Sequence, residues 1–356
     1  MITGAPLPSW NELAALIGPW AGPAADPAGL WAGPGERSAW FSRSAHSLAA
    51  IVRDWSRRHG RPPRLWVPDY FCNASLDPAR RLGVVLTFYP IGSDLSPDWE
   101  TCAALAGRGA PDLLLAVHYF GLAADMAVAL DFCRRTGALL IEDCAHALAP
   151  TAEIGRSGDF VLWSPHKLLP VPHGSLLVCR AAGLDLPVAE GAAPSVRGWL
   201  IKRLVQKLVP GGLLPPAAGR GPARFADDPP EGAVPDTPAA AGTALRLLAA
   251  AASDLGRVAA ARRANAAELL ARLEAEDGWH PLFDPAAATP YRLVMVCDTA
   301  ETAAARYDLY RNRNVVVESW PDLAPEVRAD GKRHVGALAL RNRLLCFAVH
   351  QRVGTA

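Results

Sequence analysis

The sequence predicts an α/β protein: a mostly parallel sheet flanked by helices, followed by a small C-terminal α+β domain. Two observations carry this. Between residues 64 and 179, short apolar runs of strand length alternate with helical patterns, as a parallel sheet covered on both faces requires. From Ala181 to Ala241 the composition shifts to Pro, Gly and Ala, and a long alanine-rich helical pattern then leads into another strand, helix and strand.

In chain order, residues 1–36 are rich in Pro, Gly and Trp and read as an irregular arm. Trp10, Trp20 and Trp31 should lie on the body or a partner, since exposed tryptophans are costly. Trp40 to Arg58 reads as a helical pattern, with Leu48, Ile51, Val52 and Trp55 on one face. Strands are expected at Leu65–Val67, Val84–Tyr89 and Asp112–Val117, and a helix at Ala124–Arg135. Val196–Val209 is a basic amphipathic helix, expected to pack on a neighbour rather than on a membrane. Thr243–Glu276, which includes Arg262, Arg263 and Asn265, reads as one long connecting helix. Strands at Tyr291–Cys297, Val315–Glu318 and Arg343–Val349 and a helix at Glu301–Arg311 complete the small domain. The expected division is an arm at 1–36, a large domain at 37–242 with the insert 181–241, and a linking helix and small domain at 243–356.

Composition narrows the function. Of 356 residues 51% are apolar, which is ample for a core, and the formal net charge of +1 argues against a general nucleic-acid binder. The seven cysteines are odd in number and form no Cys-x-x-Cys pair, so they read as reduced thiols of a cytoplasmic protein. No positive charge precedes residue 37 and no apolar run reaches membrane length, so neither a signal peptide nor a membrane span is expected. Zinc-spaced cysteines, a Walker loop and a Gly-x-Ser-x-Gly elbow are absent, and no metal site is expected.

The chemistry gathers in Ala138–Val178, where three apolar runs of strand length, Ala138–Ile141, Phe160–Trp163 and Ser175–Val178, are separated by polar loops. Asp143 and His146 follow the first run, and Ser164 and Lys167 follow the second. Ligands of open α/β sheets bind at the carboxyl ends of the strands, where these four side chains would converge. An acid and a lysine so placed suggest a pyridoxal phosphate site. A lysine amine condenses with the cofactor aldehyde, and a carboxylate keeps the pyridine nitrogen protonated. Taken singly, an aspartate after a strand is usually a cap and a loop lysine is usually solvated; order, spacing and strand context together favour Asp143 and Lys167.

Glu142-Asp143-Cys144-Ala145-His146, and Gly158-Asp159 followed by Ser164-Pro165-His166-Lys167, resemble the motifs of the DegT/DnrJ/StrS aminotransferases, a family of fold type I. The interval of three from Ser164 to Lys167 is similar to a subgroup with Ser-Pro-x-Lys and a Val-Pro-x-Gly turn, matched by Val171-Pro172-His173-Gly174. The resemblance implies that Asp143 meets the pyridine nitrogen, His146 lies near the ring and its phenolic oxygen, Ser164 reaches the phosphate and Lys167 anchors the cofactor. Arg43-Ser44-Ala45-His46-Ser47-Leu48 takes the place of the family's Ser-Gly-x-x-Ala-Leu phosphate turn without its glycine, which implies phosphate contacts at Ser44 and Ala45; an ordinary serine-started helix is the other reading. In the Val67-Pro68 segment, Phe71 or Cys72 takes the place of the aromatic that stacks on the cofactor, and Phe71 is favoured because a flat ring needs a flat partner. Phe71 as an ordinary core residue is the alternative. His118 resembles a structural histidine of the family.

The function this implies is a homodimeric, pyridoxal phosphate-dependent aminotransferase. It would move an amino group from glutamate or glutamine to a nucleotide-linked keto sugar in polysaccharide or secondary-metabolite biosynthesis. Two other readings stay open. One is another reaction on the same cofactor, such as deoxysugar dehydration, where related enzymes carry a histidine instead of the lysine and His166 would be that residue. The other is a non-catalytic partner or regulatory subunit. It is favoured by the lost glycine, by Ala348 in place of a proline in Leu344–Gln351, and by the short stretch after it, which leaves no room for the family's final helix.

Overall fold

The computed structural model describes residues 4–16, 26–181, 183–208, 234–273, 277–313, 315–320 and 322–352. Its large sheet contains β1 (Arg37–Phe41), β2 (Arg64–Pro68), β3 (Val85–Tyr89), β4 (Leu113–Val117), β5 (Leu139–Cys144), β6 (Phe160–Trp163) and β7 (Ser175–Cys179). Their order is β1-β7-β6-β5-β4-β2-β3. The run from β3 to β6 is parallel, whereas β7 is antiparallel to both β6 and β1. The reversal has a simple cause: residues 164–174 are too few for the dozen or more that a parallel crossover needs. Every residue of β4, β6 and β7 is buried, which accounts for their unbroken apolar sequences.

Helices α1 (Trp10–Ala14), α2 (Ser44–His59), α3 (Asp77–Arg80), α4 (Trp99–Ala106) and α5 (Met126–Thr136) precede β5 in the chain. α5 starts where Asp125 accepts from the amides of Ala127 and Val128, and it lays Met126, Ala129, Phe132 and Cys133 into the core. After β7 come α6 (Arg197–Leu208), α7 (Gly242–Ala251) and α8 (Leu255–Leu273). A second, antiparallel sheet follows, in the order β10-β11-β9-β8, from β8 (Trp279–Pro281), β9 (Leu293–Cys297), β10 (Val317–Glu318) and β11 (Leu344–Phe347). Around it lie α9 (Ala300–Asn312), α10 (Pro325–Ala329) and α11 (Val335–Arg343). No helix among the described residues is long and apolar enough to cross a membrane.

Several expectations need correction. Trp40 and Phe41 end strand β1 rather than open a helix; the helix starts at Ser44. β5 extends to Cys144, so Asp143 sits inside the strand and only His146 lies past its end. The long connecting helix is two helices, because the chain turns at Ala252–Asp254 and Asp254 accepts from the Arg257 amide to start α8. Residues 274–276, at its expected end, lie outside the described residues. α11 occupies the stretch before the last strand, which is shorter than expected. In the arm, Trp31 is 2% exposed and donates from Nε1 to Leu148 O (2.9 Å), whereas Trp10 is 55% exposed; Trp20 lies outside the described residues. α6 packs only in part: Trp199 reaches the core, while Ile201, Val205 and Leu208 are exposed.

Candidate active site

Successive strand side chains point to opposite faces, so β5 sends Glu142 to one side of the sheet and Asp143 to the other. Glu142 is fully buried and braces the loop before β6. Its Oε1 accepts from His118 Nε2 (2.8 Å) and Gly155 N (2.6 Å), and its Oε2 from Ser157 N and Gly158 N (both 2.8 Å). Burial opposes the charge, but His118 and these amides outweigh it and hold the carboxyl below its ordinary range. The loop lies so close that a Cβ at Gly158 would stand 2.7 Å from Glu142 Cβ and 2.4 Å from Phe160 O. His118 Nδ1 accepts from Ala124 N (3.0 Å), which puts its proton on Nε2, facing Glu142. His118, Glu142 and Cys144 have ligand atoms within 4.8 Å of one another, but both imidazole nitrogens and both carboxylate oxygens are already engaged. His118 is thus held in a structural bracket, as its reading from the sequence expects.

Asp143 is 6% exposed, and its Oδ1 accepts from Ala145 N (2.8 Å) in a tight turn. Its Oδ2 has no donor among the described residues. Burial pushes the carboxyl up, and the charge of Lys167 is the chief opposing influence. Lys167 ends the short 3₁₀ turn Pro165–Lys167 that follows β6, with Ser164 at its start. Lys167 is half-buried, and its Nζ has neither a hydrogen bond nor an ion pair among the described residues. Ser164 is fully buried and its Oγ has no partner among the described residues. His166 turns elsewhere: its Nδ1 donates to Gly174 O (2.8 Å), and burial pushes its ring down to about 3.

His146 joins the two sheets. Its Nδ1 accepts from Phe120 N (3.3 Å), leaving Nε2 as the N–H. Burial, followed by the charges of Lys167 and Arg292, pushes its pKa well down, so the ring is neutral at pH 7. Its ring stacks on Tyr291 (centroids 4.4 Å, planes 12° apart) and meets the edge of Trp320 at 5.0 Å. Tyr291 N donates to Phe120 O (2.9 Å), and the Tyr70 hydroxyl donates to Trp320 O, so the loops of the small sheet are fastened over the rim of the large one. Arg262 strengthens this junction. Fully buried, it donates to the carbonyls of Pro290 (2.9 Å) and Tyr291 (2.7 Å) and, at 3.5 Å, to that of Leu168 beside Lys167. The tight turn at the junction needs Gly121, whose φ is +95° and whose added Cβ would lie 2.6 Å from Thr289 O. Gly121→Ala is expected to cost about 1–3 kcal/mol through strain and displaced backbone, read as a lowered thermal midpoint. An unchanged midpoint would mean that the junction adapts.

The remaining candidates are placed as follows. Ser44 and Ala45 open α2, and their amides have no acceptor among the described residues. Phe71 is 6% exposed within the main hydrophobic cluster, and Cys72 forms an isolated bridge with Leu323. From the sequence, Tyr291 reads only as the start of a strand, and Trp320 has no role at the site. No local spacing marks their contact with His146, which depends on chain segments over 140 residues apart in number.

These residues fit pyridoxal phosphate on three observations. Among the described residues, a buried hydroxyl lacks a partner at Ser164, the amine of half-buried Lys167 lacks one, and a buried carboxylate at Asp143 keeps one oxygen free. The sheet order, with its single reversed strand, and this rim define the class: a fold type I pyridoxal phosphate aminotransferase fold with a second, small sheet. More closely, residues 70–172 match the family model described as the DegT/DnrJ/EryC1/StrS aminotransferase family. The matched stretch carries Asp143 and Lys167, and the aminotransferases of that family use pyridoxal phosphate. Among solved structures, the aminotransferase TlmJ from Streptoalloteichus hindustanus is similar with TM-score 0.70 and 20% identity, over 100% of this chain and 95% of that one. Helicobacter pylori PseC, an aminotransferase involved in the biosynthesis of pseudoaminic acid, gives 0.71 and 10% over 99% and 94%. The PLP form of the putative sugar aminotransferase Spr1654 from Streptococcus pneumoniae gives 0.71 and 13% over 98% and 94%. At these identities the likeness concerns the fold. No curated protein matches the chain in sequence.

Proposed function

We propose that the protein transfers an amino group from glutamate or glutamine to a keto sugar, most simply a nucleotide-linked one, as a cytoplasmic homodimer serving polysaccharide or secondary-metabolite biosynthesis. The observation that carries the reading is the Lys167 amine, unpaired among the described residues and in electrostatic reach of the buried Asp143. Pyridoxal phosphate supplies an electron sink when bound. Lys167 would hold it through Nζ and later, as a free amine, move the proton from the donor's carbon alpha. Asp143 Oδ2 would accept from the pyridine N–H, and burial among apolar groups makes that contact strong. His146, with its proton on Nε2, would donate to the phenolic oxygen, and Ser164 Oγ would donate to the phosphate. Phe71 would cover one ring face, and the small-sheet loops at Tyr291 and Trp320 would exclude water. The division near residue 242, with α7 and α8 linking a large and a small domain, belongs to the same proposal.

No observation favours dehydration through His166, since its Nδ1 is committed to Gly174 O. The proposal is tested by borohydride reduction of the purified, cofactor-loaded protein followed by peptide mapping and a screen of keto-sugar acceptors. The expected result is a visible band lost on reduction, with the adduct on Lys167. A protein that cannot be loaded with the cofactor would leave the non-catalytic reading in its place.

A further inference from the structure

The start of α2 departs from two local rules at one position. Helix starts favour Ser, Thr, Asp or Asn caps, and the positive end of the helix dipole disfavours a cation. Here Arg43 is the N-cap, and no side-chain capping hydrogen bond is formed. The exposed Arg43 guanidinium has no hydrogen bond or ion pair among the described residues, and the Ser44 and Ala45 amides point out of the same 16-residue helix without acceptors. A sequence that places a cation against a helix's positive end at a conspicuous cost is a sign of function.

What lies opposite is the rim of the site. Phe41 pairs with Ser175 and Leu176 pairs with Trp163, so the residues following β1 and β6 share one edge of the sheet. Ser42 O accepts from Gly174 N (3.0 Å), and Ser47 Oγ meets Ser175 Oγ at 3.2 Å, which fastens α2 to that edge. Ser164 follows Trp163 there, fully buried, with its hydroxyl unpartnered among the described residues. The charge of Arg43 reaches His46, His166 and His173, all of which burial keeps neutral, and Asp236 acts on His46 from its own loop. Helix end, guanidinium and orphan hydroxyl therefore share one need, an anion.

We propose that Arg43 is a ligand of the cofactor's 5′-phosphate, acting with the amides of Ser44 and Ala45 and the hydroxyl of Ser164. This rests on the cofactor reading above. The guanidinium matches two phosphate oxygens at once and supplies charge where the small-residue turn of the family supplies only backbone. It also accounts for the absent glycine: the chain exchanges close backbone approach for a long cationic side chain.

The test is binding of pyridoxal phosphate and of pyridoxal, which lacks the phosphate, to the cofactor-free full-length protein, followed by tryptophan fluorescence. The wild type, Arg43→Ala and Arg43→Lys are compared at low and high salt. Arg43→Ala is expected to weaken pyridoxal phosphate by about 10- to 100-fold, the scale of a charge-assisted hydrogen bond, with pyridoxal unchanged. Arg43→Lys should fall between, and the salt dependence of phosphate-ester binding should flatten in Arg43→Ala. Unchanged pyridoxal phosphate affinity in Arg43→Ala, or equal weakening of both ligands, would overturn the proposal. A wild type that binds both ligands equally would overturn it too. A wild type that binds neither would instead overturn the cofactor reading, and this proposal with it.

Discussion

Lys167→Ala is expected to abolish the visible absorbance of the lysine-bound cofactor and to lower turnover by about 10⁴-fold or more, the upper range for a positioned proton-transfer group. The size follows from the absence of a substitute. His146 is neutral, and its Nδ1 lone pair is taken by the Phe120 amide. His166 is fastened to Gly174 O and cannot reach the same atoms without breaking that bond. The loss will not be a loss of fold, because the Lys167 side chain makes no hydrogen bond or ion pair among the described residues; stability should stay within about 0.5 kcal/mol. Lys167→Arg separates charge from chemistry. A guanidinium keeps the positive field that Asp143 feels but neither condenses with an aldehyde nor gives up a proton near neutral pH, so it should be nearly as inactive. Absorbance scans and single-turnover assays with glutamate measure both effects. Retained turnover in either variant would remove Lys167 from its role.

The site was legible where its signals are local. Asp143, His146, Ser164 and Lys167 lie within 25 positions, after apolar runs whose length already marks them as strands, and the structure brings Asp143, His146 and Lys167 within electrostatic reach. Strand direction was not legible, because an apolar run reads the same in either sense; only the shortness of 164–174 hints that β7 reverses. β1 was hidden because Arg37–Phe41 is mostly half-exposed and runs almost directly into α2, so its apolar residues blended into the helical pattern. The break before α8 was hidden by alanines on both sides, which favour helix whatever the chain does. Tyr291, Trp320 and Arg262 act at the site through tertiary contacts, and no periodicity encodes which distant ring a tyrosine will meet.

Glu142→Gln and Asp143→Asn are expected to fail in opposite ways, although the residues are neighbours. Both oxygens of Glu142 accept two donors each, so a glutamine must turn its own N–H₂ toward two of those N–H groups. Leaving buried donors opposed costs about 3–5 kcal/mol, the scale of breaking a buried charged partner, and it frees the loop that leads into β6. Asparagine at 143 keeps an oxygen for the Ala145 amide and loses only a charge that burial disfavours. Because the folded-state pKa of Asp143 is raised, its protonated form stabilises the cofactor-free fold. That contribution is fully present below the unfolded value near 3.8 and is lost as pH rises through the folded value. At pH 7 the cofactor-free Asp143→Asn protein should therefore be at least as stable as the wild type, with the advantage vanishing in acid. Its turnover should nevertheless fall by about 10²- to 10³-fold, as when one preorganised electrostatic partner is removed. Thermal unfolding of both variants from pH 4 to 8, beside their turnover, separates the roles. Equal destabilisation by the two changes would mean that Asp143 is another structural carboxylate, and the contact proposed for it with the pyridine nitrogen would fall.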